Sequence, residues 1–330
     1  GAVWVFVRDG TQWSEEAQLR PADGEAFDAF GFSVAVSGDT ALVGALGDDD
    51  NGSFSGSAYV FARDAGIWTE QAKLLPELGA PHDNFGREVS LSGDTALISS
   101  PRDDENGDSA GAAYVFTREG ETWTQQAKLL AADGEAGDTF GHGDLSGDRA
   151  VVSAVRDDNA NGVDAGSAYV FERGGATWQQ VAHLVASDGA AGDGFGHAVA
   201  FAGEHDLIGA AFDDDNGSDS GSAYLFTPEA LALAASGTCP GPVSVTVSNA
   251  PPGSRVAVIA AGSTNGYVKG GSVCNGVEFE IGEPIQLPPL WIKTDATGQG
   301  TGELTVEPGH CWLEALAATG CETSGAVQVP

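Results

Sequence analysis

Apolar and polar residues alternate over short stretches of this chain, and the pattern recurs with a period of 55 residues. In the second copy, residues 85–94 alternate at Val89 and Leu91 and end in a Ser-Gly-Asp turn. Alternation with a period of two is typical of a half-buried strand. Residues 95–100 follow at once as a short apolar run, so the two segments predict a tight β-hairpin.

Two further strands complete the unit. Residues 112–118 are rich in β-branched and aromatic side chains, which favour strands. After a Glu-Gly turn, residues 121–130 predict a fourth strand with Trp123, Ala127 and Leu129 on one face. Four short antiparallel strands in a repeated unit predict the blade of a β-propeller.

Three markers keep the 55-residue step, and one of them occurs five times. A repeat of this length indicates one supersecondary unit whose copies bury their apolar faces against one another. The pattern therefore predicts an all-β propeller over residues 1–228, with four full copies and extra N-terminal strands that begin in mid-blade. The markers are the Phe-Gly dipeptide at Phe30, Phe85, Phe140 and Phe195, the tryptophans Trp13, Trp68, Trp123 and Trp178, and a strand tetrapeptide ending at Phe6, Phe61, Phe116, Phe171 and Phe226.

The periodic pattern stops after residue 228. Val- and Thr-rich segments follow at residues 243–248, 255–261, 302–306 and 311–317, and Pro-Pro and Gly-Gly turns separate them. Short strands divided by such turns predict a small Ig-like β-sandwich over residues 229–330.

All four cysteines lie in this C-terminal module. An even number of cysteines in one small module predicts disulfides and an oxidising compartment, with four reduced core cysteines as the alternative. Three pairings are open. We favour Cys239–Cys274 with Cys311–Cys321 because this pairing joins sequence neighbours.

The chain is strongly acidic. Its 14 Lys and Arg oppose 48 Asp and Glu, a formal net charge of −34, and residues 1–228 hold 39 of the acids and 11 of the bases, a net of −28. Such a surface repels nucleic acid and anionic lipid, and it attracts divalent cations or basic partners. A chain adapted to high salt would carry the same composition.

Two absences bear on localisation. The chain has no Met, so we expect Gly1 to follow a segment removed from the precursor. The chain also contains no run of about 18 apolar residues, the length that a membrane-spanning helix needs. Together with the cysteines, this predicts an extracellular, secreted or cell-surface protein.

Four segments around the Phe-Gly dipeptides resemble FG-GAP repeats, the blade unit of integrin-α-type β-propellers, in their bacterial extracellular form. The resemblance covers residues 1 to about 228 and implies a propeller fold and an extracellular location. The C-terminal module is similar to Cys-bearing sandwich domains that follow such repeats in secreted bacterial proteins. The matching segments are DAFGFSVAVSGDTALVGA (28–45), DNFGREVSLSGDTALISSP (83–101), DTFGHGDLSGDRAVVSA (138–154) and DGFGHAVAFAGEHDLIGA (193–210).

One element of the integrin-type blade is missing here. In that family a calcium loop of the DxDxDG type lies between the Phe-Gly strand and the next strand. This chain has only a Ser-Gly-Asp turn at that place, so the calcium site of the family does not carry over.

Each copy has an acidic loop one connection later, in which two adjacent Asp precede Asn-Gly. Carboxylate and carbonyl oxygens on a tightly turning backbone suit Ca²⁺, so the loops predict structural calcium sites. The alternative is that Asp and Asn form Asx-turns at a solvated loop. Gly47, Arg102, Arg156 and Phe212 stand where a calcium loop would have its first ligand. The candidate ligands are Asp48, Asp49, Asp50, Asn51, Asp103, Asp104, Asn106, Asp157, Asp158, Asn161, Asp213, Asp214, Asp215 and Asn216.

Two further sets recur. We expect the Asp two residues before each Phe-Gly to cap the turn into the inner strand. We expect the tryptophans to lie in the core, because neighbouring residues on their strand alternate. The aspartates are Asp28, Asp83, Asp138 and Asp193.

Signals for catalysis are weak. Residues 107–111 read GDSAG and match the nucleophile-elbow formula by letter, but they lie in an acidic loop, not between a strand and a helix. The six His are scattered, and no phosphate-binding loop is present. The sequence therefore predicts a secreted, non-catalytic adhesion or binding protein that takes a protein or glycan ligand on its propeller loops.

A second hypothesis is a structural subunit of an extracellular filament or surface assembly. Its basis is the fifth copy of the strand that ends at Phe6, which leaves an odd number of strands. Strands of another chain would complete the blades by strand addition and self-assembly. An uninterrupted chain with further blades upstream is the alternative that we favour.

Overall fold

The computed structural model describes residues 1–203 and 205–227 and, beyond them, the strand residues between 232 and 328. The chain divides into two compact units, Gly1–Thr227 and Pro228–Pro330.

The first unit contains five antiparallel sheets. The first sheet pairs β1 (Val3–Asp9) with β2 (Gln12–Leu19). Three four-stranded sheets follow: β3 (Val34–Ser37), β4 (Thr40–Ala45), β5 (Ser57–Asp64) and β6 (Ile67–Leu74); β7 (Val89–Ser92), β8 (Thr95–Ser100), β9 (Ala112–Glu119) and β10 (Thr122–Leu129); β11 (His142–Ser146), β12 (Arg149–Ala154), β13 (Ser167–Gly174) and β14 (Thr177–Leu184). The last sheet has β15 (Phe195–Ala202), β16 (His205–Ala210) and β17 (Ser222–Phe226).

Strand order within each sheet follows chain order, and successive sheets pack through their first strands. Strand β3 contacts β7, β7 contacts β11, and β11 contacts β15. Sheets of consecutive antiparallel strands that pack side by side in this way are propeller blades. The prediction of an all-β propeller with four repeats is confirmed, and we number the blades from 1 (β3–β6) to 4 (β15–β17).

The Phe-Gly dipeptide ties each blade to the one before it. Phe140 is 1% exposed, and its ring packs edge-on against Tyr169 and Phe171 of its own blade, with centroids 5.6 and 6.0 Å apart. Its backbone N–H donates to the carbonyl oxygen of Ala110 in the preceding acidic loop, at 2.8 Å. Gly111 in that loop has φ +89°, and a Cβ there would lie 2.0 Å from the Phe140 oxygen. The loop can therefore approach the next blade only with glycine at this position.

A β-bulge changes the faces of the fourth strand. The pairing of β10 with β9 shifts register between Gln125 and Ala127. Trp123 therefore packs in the core between blades 1 and 2, while Leu129 and Ala127 pack with Phe140 between blades 2 and 3. The prediction that Trp123, Ala127 and Leu129 share a face was wrong, because one extra residue inverts the alternation.

The tryptophans lie where outer strands of adjacent blades meet. Trp123 is buried, and its Nε1–H donates to Gln71 of the preceding blade at 2.9 Å. Trp68 and Trp178 are partly buried. Trp13 is 66% exposed, so the prediction of a core role was wrong for this residue. It stands on the first sheet, and the described residues contain no earlier sheet against which it could pack.

The second unit also consists of strands. One sheet has the order β18 (Ala232–Gly237), β19 (Gly241–Ser248) and β24 (Gly300–Val306). A second has the order β23 (Leu290–Lys293), β20 (Arg255–Ala261), β25 (Trp312–Ala317) and β26 (Val327–Gln328), and a third pairs β21 (Gly270–Cys274) with β22 (Val277–Phe279). The Ig-like sandwich stays a prediction. The disulfides also stay a prediction, because Cys239, Cys311, Cys321 and the side chain of Cys274 lie outside the described residues.

Candidate functional site

The first Asp of each acidic loop is buried and accepts hydrogen bonds from its own blade. Asp103 is buried, and its Oδ2 accepts a hydrogen bond from the Tyr114 hydroxyl at 2.7 Å. Its Oδ1 accepts the backbone N–H of Glu105 at 3.1 Å, which closes an Asx-turn. The equivalent tyrosine bonds are Tyr59–Asp48 at 3.1 Å and Tyr224–Asp213 at 2.9 Å.

The second Asp of each loop accepts a hydrogen bond from a backbone N–H five or six residues later in the chain. Asp104 Oδ1 accepts the backbone N–H of Ser109 at 2.8 Å, and Ser109 has a φ of +54°. The bond stabilises a left-handed residue that would otherwise be strained. The same bond recurs from Phe54 to Asp49, from Asp164 to Asp158 and from Asp219 to Asp214. The loops therefore contain the Asx-type hydrogen bonding that the sequence offered as the alternative to calcium.

A lysine neutralises each of the first two loops. Lys73 Nζ lies 2.9 Å from Asp48 and 2.7 Å from Asp50. Lys128 Nζ lies 2.8 Å from Asp103 and 2.6 Å from Glu105. Burial lowers the pKa of Lys128, but the bonds to its two carboxylates outweigh burial, so its pKa is raised. The sequence reasoning missed these lysines, which stand on the fourth strand of their blades.

The third and fourth loops lack this lysine. In the third, His183 occupies the equivalent strand position and stacks on Tyr169 with ring centroids 4.6 Å apart. Asp157 accepts instead from the Ser167 hydroxyl at 2.5 Å. In the fourth, the charge of Asp213 raises the pKa of the exposed Asp215. The described part of blade 4 has three strands, so it supplies no residue at the lysine position.

Calcium binding stays a prediction. Among the described residues, no three His, Cys, Asp or Glu side chains are placed to hold a metal ion. The first two loops do not fit Ca²⁺ as they stand, because a lysine ammonium already occupies the space between their carboxylates. The calcium hypothesis therefore rests on the acidic sequence and is strongest for the fourth loop, at Asp213, Asp214 and Asp215.

The calcium hypothesis expects a higher melting temperature in 2 mM Ca²⁺ than in EDTA, since an ion bound only to the folded chain shifts the equilibrium toward it. Differential scanning fluorimetry measures the shift, with Mg²⁺ as the matched divalent control. Superimposable curves in Ca²⁺ and EDTA would contradict calcium binding and leave the lysines as the counter-ions of loops 1 and 2.

The Asp before each Phe-Gly caps a turn, as predicted. Asp138 Oδ2 accepts the backbone N–H of Glu135 at 2.6 Å, and Asp83 accepts that of Ala80 at 2.8 Å. Asp28 and Asp193 repeat the bond. Burial raises the pKa of Asp83 and of Asp138 to about 6. These groups therefore stabilise the fold when protonated, and this contribution is lost as the pH rises through about 6.

A cleft of about 770 Å³ opens beside the inner strands of blades 2, 3 and 4. Residues directly after the Phe-Gly dipeptides line it, as do residues directly after the second strands. We call it the basic cleft and define it by Arg87, Arg102, Arg156, His142 and His197. Each of these lining segments directly follows buried residues, so the fold holds the lining in place.

The three arginines of the basic cleft form no ion pair with the described residues. Arg87, Arg102 and Arg156 make no contact within 4.0 Å with a described Asp or Glu side chain. Six other Lys and Arg side chains of the described propeller make such a contact: Arg63, Lys73, Arg118, Lys128, Arg149 and Arg173. In a unit with a net charge of −28, three of the five arginines without a described carboxylate partner line one cleft, and the other two, Arg8 and Arg20, lie outside it.

Imidazole side chains lie in the lining, and phenylalanine rings contact lining residues from outside it. Arg87 lies over the Phe32 ring, 5.7 Å from its centre. His142 Nδ1 lies 2.8 Å from Glu88 Oε1, and His197 packs edge-on against Phe212. Glu88, Asp104 and Asp108 bring three carboxylates to the same cleft.

The sequence reasoning noted Arg102 and Arg156 only as obstacles to a calcium ligand, and it judged the histidines scattered. A signal was available, because Arg87, His142 and His197 stand 55 residues apart, each directly after a Phe-Gly. Equivalent positions in consecutive blades lie side by side in a propeller.

One set of side chains has the atoms of a nucleophilic triad. His183 Nε2 lies 2.9 Å from Ser167 Oγ, and its Nδ1 lies 3.4 Å from Asp133 Oδ2. The Ser167 residue is fully buried, and its hydroxyl bonds Asp157, so no substrate reaches it as the fold stands. Ser109 of the GDSAG segment lies in an acidic loop, not at a strand-to-helix turn.

Comparison with known proteins gives the family. A model described as FG-GAP repeat matches residues 13–61, 68–116, 123–171 and 178–226. The chain belongs to the FG-GAP repeat family. FG-GAP repeats are typical of extracellular or periplasmic proteins. Among the described residues of this FG-GAP protein, no helix is long and apolar enough to cross a membrane. No curated protein sequence matches the chain.

Several solved structures are similar at low identity. The periplasmic gluconolactonase of Pseudomonas aeruginosa is 12% identical with a TM-score of 0.42, and the match covers 99% of this chain and 92% of that one. An exo-β-1,3-galactanase of Phanerochaete chrysosporium is 10% identical with a TM-score of 0.35, and the GH32 β-fructofuranosidase of Bombyx mori is 9% identical with a TM-score of 0.33. Each of these two matches covers 93% of this chain and 96% of the other.

These neighbours correct one prediction. All three are enzymes by name, so the sequence-based conclusion that the chain is not an enzyme was wrong and is withdrawn. The likeness assigns no reaction to this chain at such identities and TM-scores.

Proposed function

We propose that this FG-GAP propeller is an extracellular binding protein that takes its ligand in the basic cleft. The observation that supports the proposal is the convergence of Arg87, Arg102 and Arg156, none paired with a described carboxylate, on one cleft of an acidic molecule. An arginine without a partner on such a surface is free to bind a group from outside the chain.

The size and build of the cleft support the same proposal. Its volume of about 770 Å³ lies within the range of small-molecule sites. The lining residues follow the buried Phe85, Phe140 and Phe195, whose backbones bond the preceding blade. A lining fixed at one end by buried backbone loses little conformational entropy when a ligand binds.

The acidic loops have a supporting role in this proposal. Their carboxylates bond tyrosine hydroxyls, backbone N–H groups and lysines of their own blades, so they stabilise the blades on which the cleft stands. Adhesion would then depend on the cleft, whether the partner is a protein or a glycan.

Blocking the cleft tests the proposal. Val155 lines the cleft and is partly exposed, so Val155→Trp should narrow it and obstruct a ligand without changing charge. Val163→Trp is the matched control, because Val163 is 62% exposed on the third acidic loop outside the lining. On glycan and extracellular-peptide arrays, we expect Val155→Trp to lose at least about tenfold of the affinity of wild-type hits, roughly 1.4 kcal/mol. Equal binding by both variants and wild type would refute the cleft as the ligand site.

A structural role is the second candidate, supported by exposed apolar side chains on the end sheets. Trp4 and Phe6 on the first sheet and Leu225 on the last are all more than half exposed. Such sheets invite strand addition from another copy of the chain. Electron microscopy of the purified protein decides: regular fibres support assembly, and dispersed monomers at high concentration oppose it.

A further inference from the structure

We infer that the basic cleft binds a compact ligand carrying one or two oxyanion groups, such as a carboxylate or a sulfate, and does not bind an extended polyanion. The inference rests on the proposed function, because it names the ligand class for the same cleft. Three features of the described residues support it: the chemistry of the arginines, the charge of the surrounding surface and the size of the cleft.

The first feature is the donor set. Arginine presents several N–H donors in a planar fork that matches two oxygens of one carboxylate, sulfate or phosphate. Arg102 and Arg156 are exposed, occupy the same position in consecutive repeats and line the same cleft. Arg87 adds a third guanidinium, which Phe32 supports on one face. Arg8 and Arg20, the other arginines without a described carboxylate partner, lie outside this lining.

The second feature is the surrounding charge, which limits the size of the anion. Beyond the cleft the propeller is strongly acidic, and Glu88, Asp104 and Asp108 lie within the lining itself. A chain of many negative charges would place most of them against this surface, where repulsion opposes binding. A single oxyanion can contact the arginines and leave the rest of its molecule uncharged.

The third feature is volume. About 770 Å³ exceeds the space that an inorganic anion fills, and it fits a ligand of about sugar or disaccharide size. The oxyanion is therefore one group of a larger, mostly neutral molecule. His142, held by Glu88, and His197 lie in the same lining and are available to that neutral part.

Matched probes test this inference. Glucose, glucuronate and glucose 6-sulfate share a ring and differ in the charged group, and heparin is the extended polyanion. Isothermal titration of the full chain should show heat for one or both charged sugars, none for glucose, and weaker binding at higher salt because ions screen the contact. Heparin should bind no better than the charged sugars. Binding of glucose equal to that of the charged sugars, or tight binding of heparin, would overturn the inference.

Neutral variants locate the contact. Arg102→Gln with Arg156→Gln should reduce the affinity for the charged sugar by about tenfold or more, the worth of one charge-assisted hydrogen bond. Arg8→Gln with Arg20→Gln removes the same charge from exposed arginines outside the lining and should change affinity by less than about twofold. An equal loss of affinity in both double variants would mean that the overall charge of the molecule, and not a contact in the cleft, determines binding. That result would overturn the inference.

The two proposals fail separately. In one outcome, Val155→Trp abolishes binding of an array hit, the Arg102→Gln, Arg156→Gln double variant binds it unchanged, and no charged sugar competes. The cleft is then the site, but its ligand is not an oxyanion. If Val155→Trp changes nothing and no charged sugar binds, both proposals are refuted. All four arginine changes are at surface or partly exposed positions, so equal melting curves should accompany each result.

Discussion

Phe140→Ala should lower the free energy of unfolding of the propeller by about 3–5 kcal/mol, the usual cost of removing a fully buried aromatic ring. Phe140 is 1% exposed, contacts Tyr169 and Phe171 edge-on, and belongs to the core that blades 2 and 3 share. The cavity left behind would open the contact between two blades, so the loss should exceed that of a truncation within one sheet.

Urea unfolding followed by tryptophan fluorescence measures this loss. Phe27→Ala is the matched control, because it removes the same ring from a residue that is 86% exposed. We expect a change below about 0.5 kcal/mol for the control. If the two variants lost equal stability, the Phe-Gly ring would not be the element that joins the blades.

Lys128→Gln should also be strongly destabilising, by about 2–4 kcal/mol, because it leaves the buried Asp103 without its cation. The Asp103 side chain is 4% exposed, and Glu105 lies against the same ammonium. The folded-state pKa of Lys128 is raised, so its contribution is complete at pH 7 and is lost only as the pH rises through that pKa.

A double-mutant cycle isolates this pair. Asp103→Asn in the Lys128→Gln background removes the stranded charge and should recover a substantial part of the loss. Arg20→Gln is the control for loss of a positive charge, because Arg20 bonds only the neutral Gln18 among the described residues. Additive effects of Lys128→Gln and Asp103→Asn would show that the lysine is not the counter-ion of the acidic loop.

The repeat predicts the blade well because its signal is local. The Ser-Gly-Asp turn and the short apolar strand lie within a few residues of the contacts that they form. The Phe-Gly dipeptide contacts distant residues, such as Ala110 and Tyr169 for Phe140, but its exact recurrence makes it recognisable in the sequence. The bulge beside Ala127 has no comparable signal, since one unpaired residue leaves the composition of the strand unchanged. Its consequence, the opposite faces of Trp123 and Leu129, was therefore beyond pattern reasoning.

The candidate site depends on contacts between distant parts of the sequence. Lys128 reaches Asp103 across 25 residues and a strand pairing, so the acidic loop appeared uncompensated in the sequence. Arg102 and Arg156 come together only because equivalent positions of two blades share one cleft. The 55-residue step places such residues in register, but the neutralisation of the other basic residues is visible only from the ion pairs of the fold.

The most direct test of the basic cleft is a crystal structure of the chain with glucuronate or glucose 6-sulfate, whichever gives the larger heat of binding. We predict density for the sugar in the cleft, with its oxyanion within hydrogen-bonding distance of Arg102 or Arg156. Density for the sugar at another site, with the cleft filled by solvent alone, would contradict the proposal.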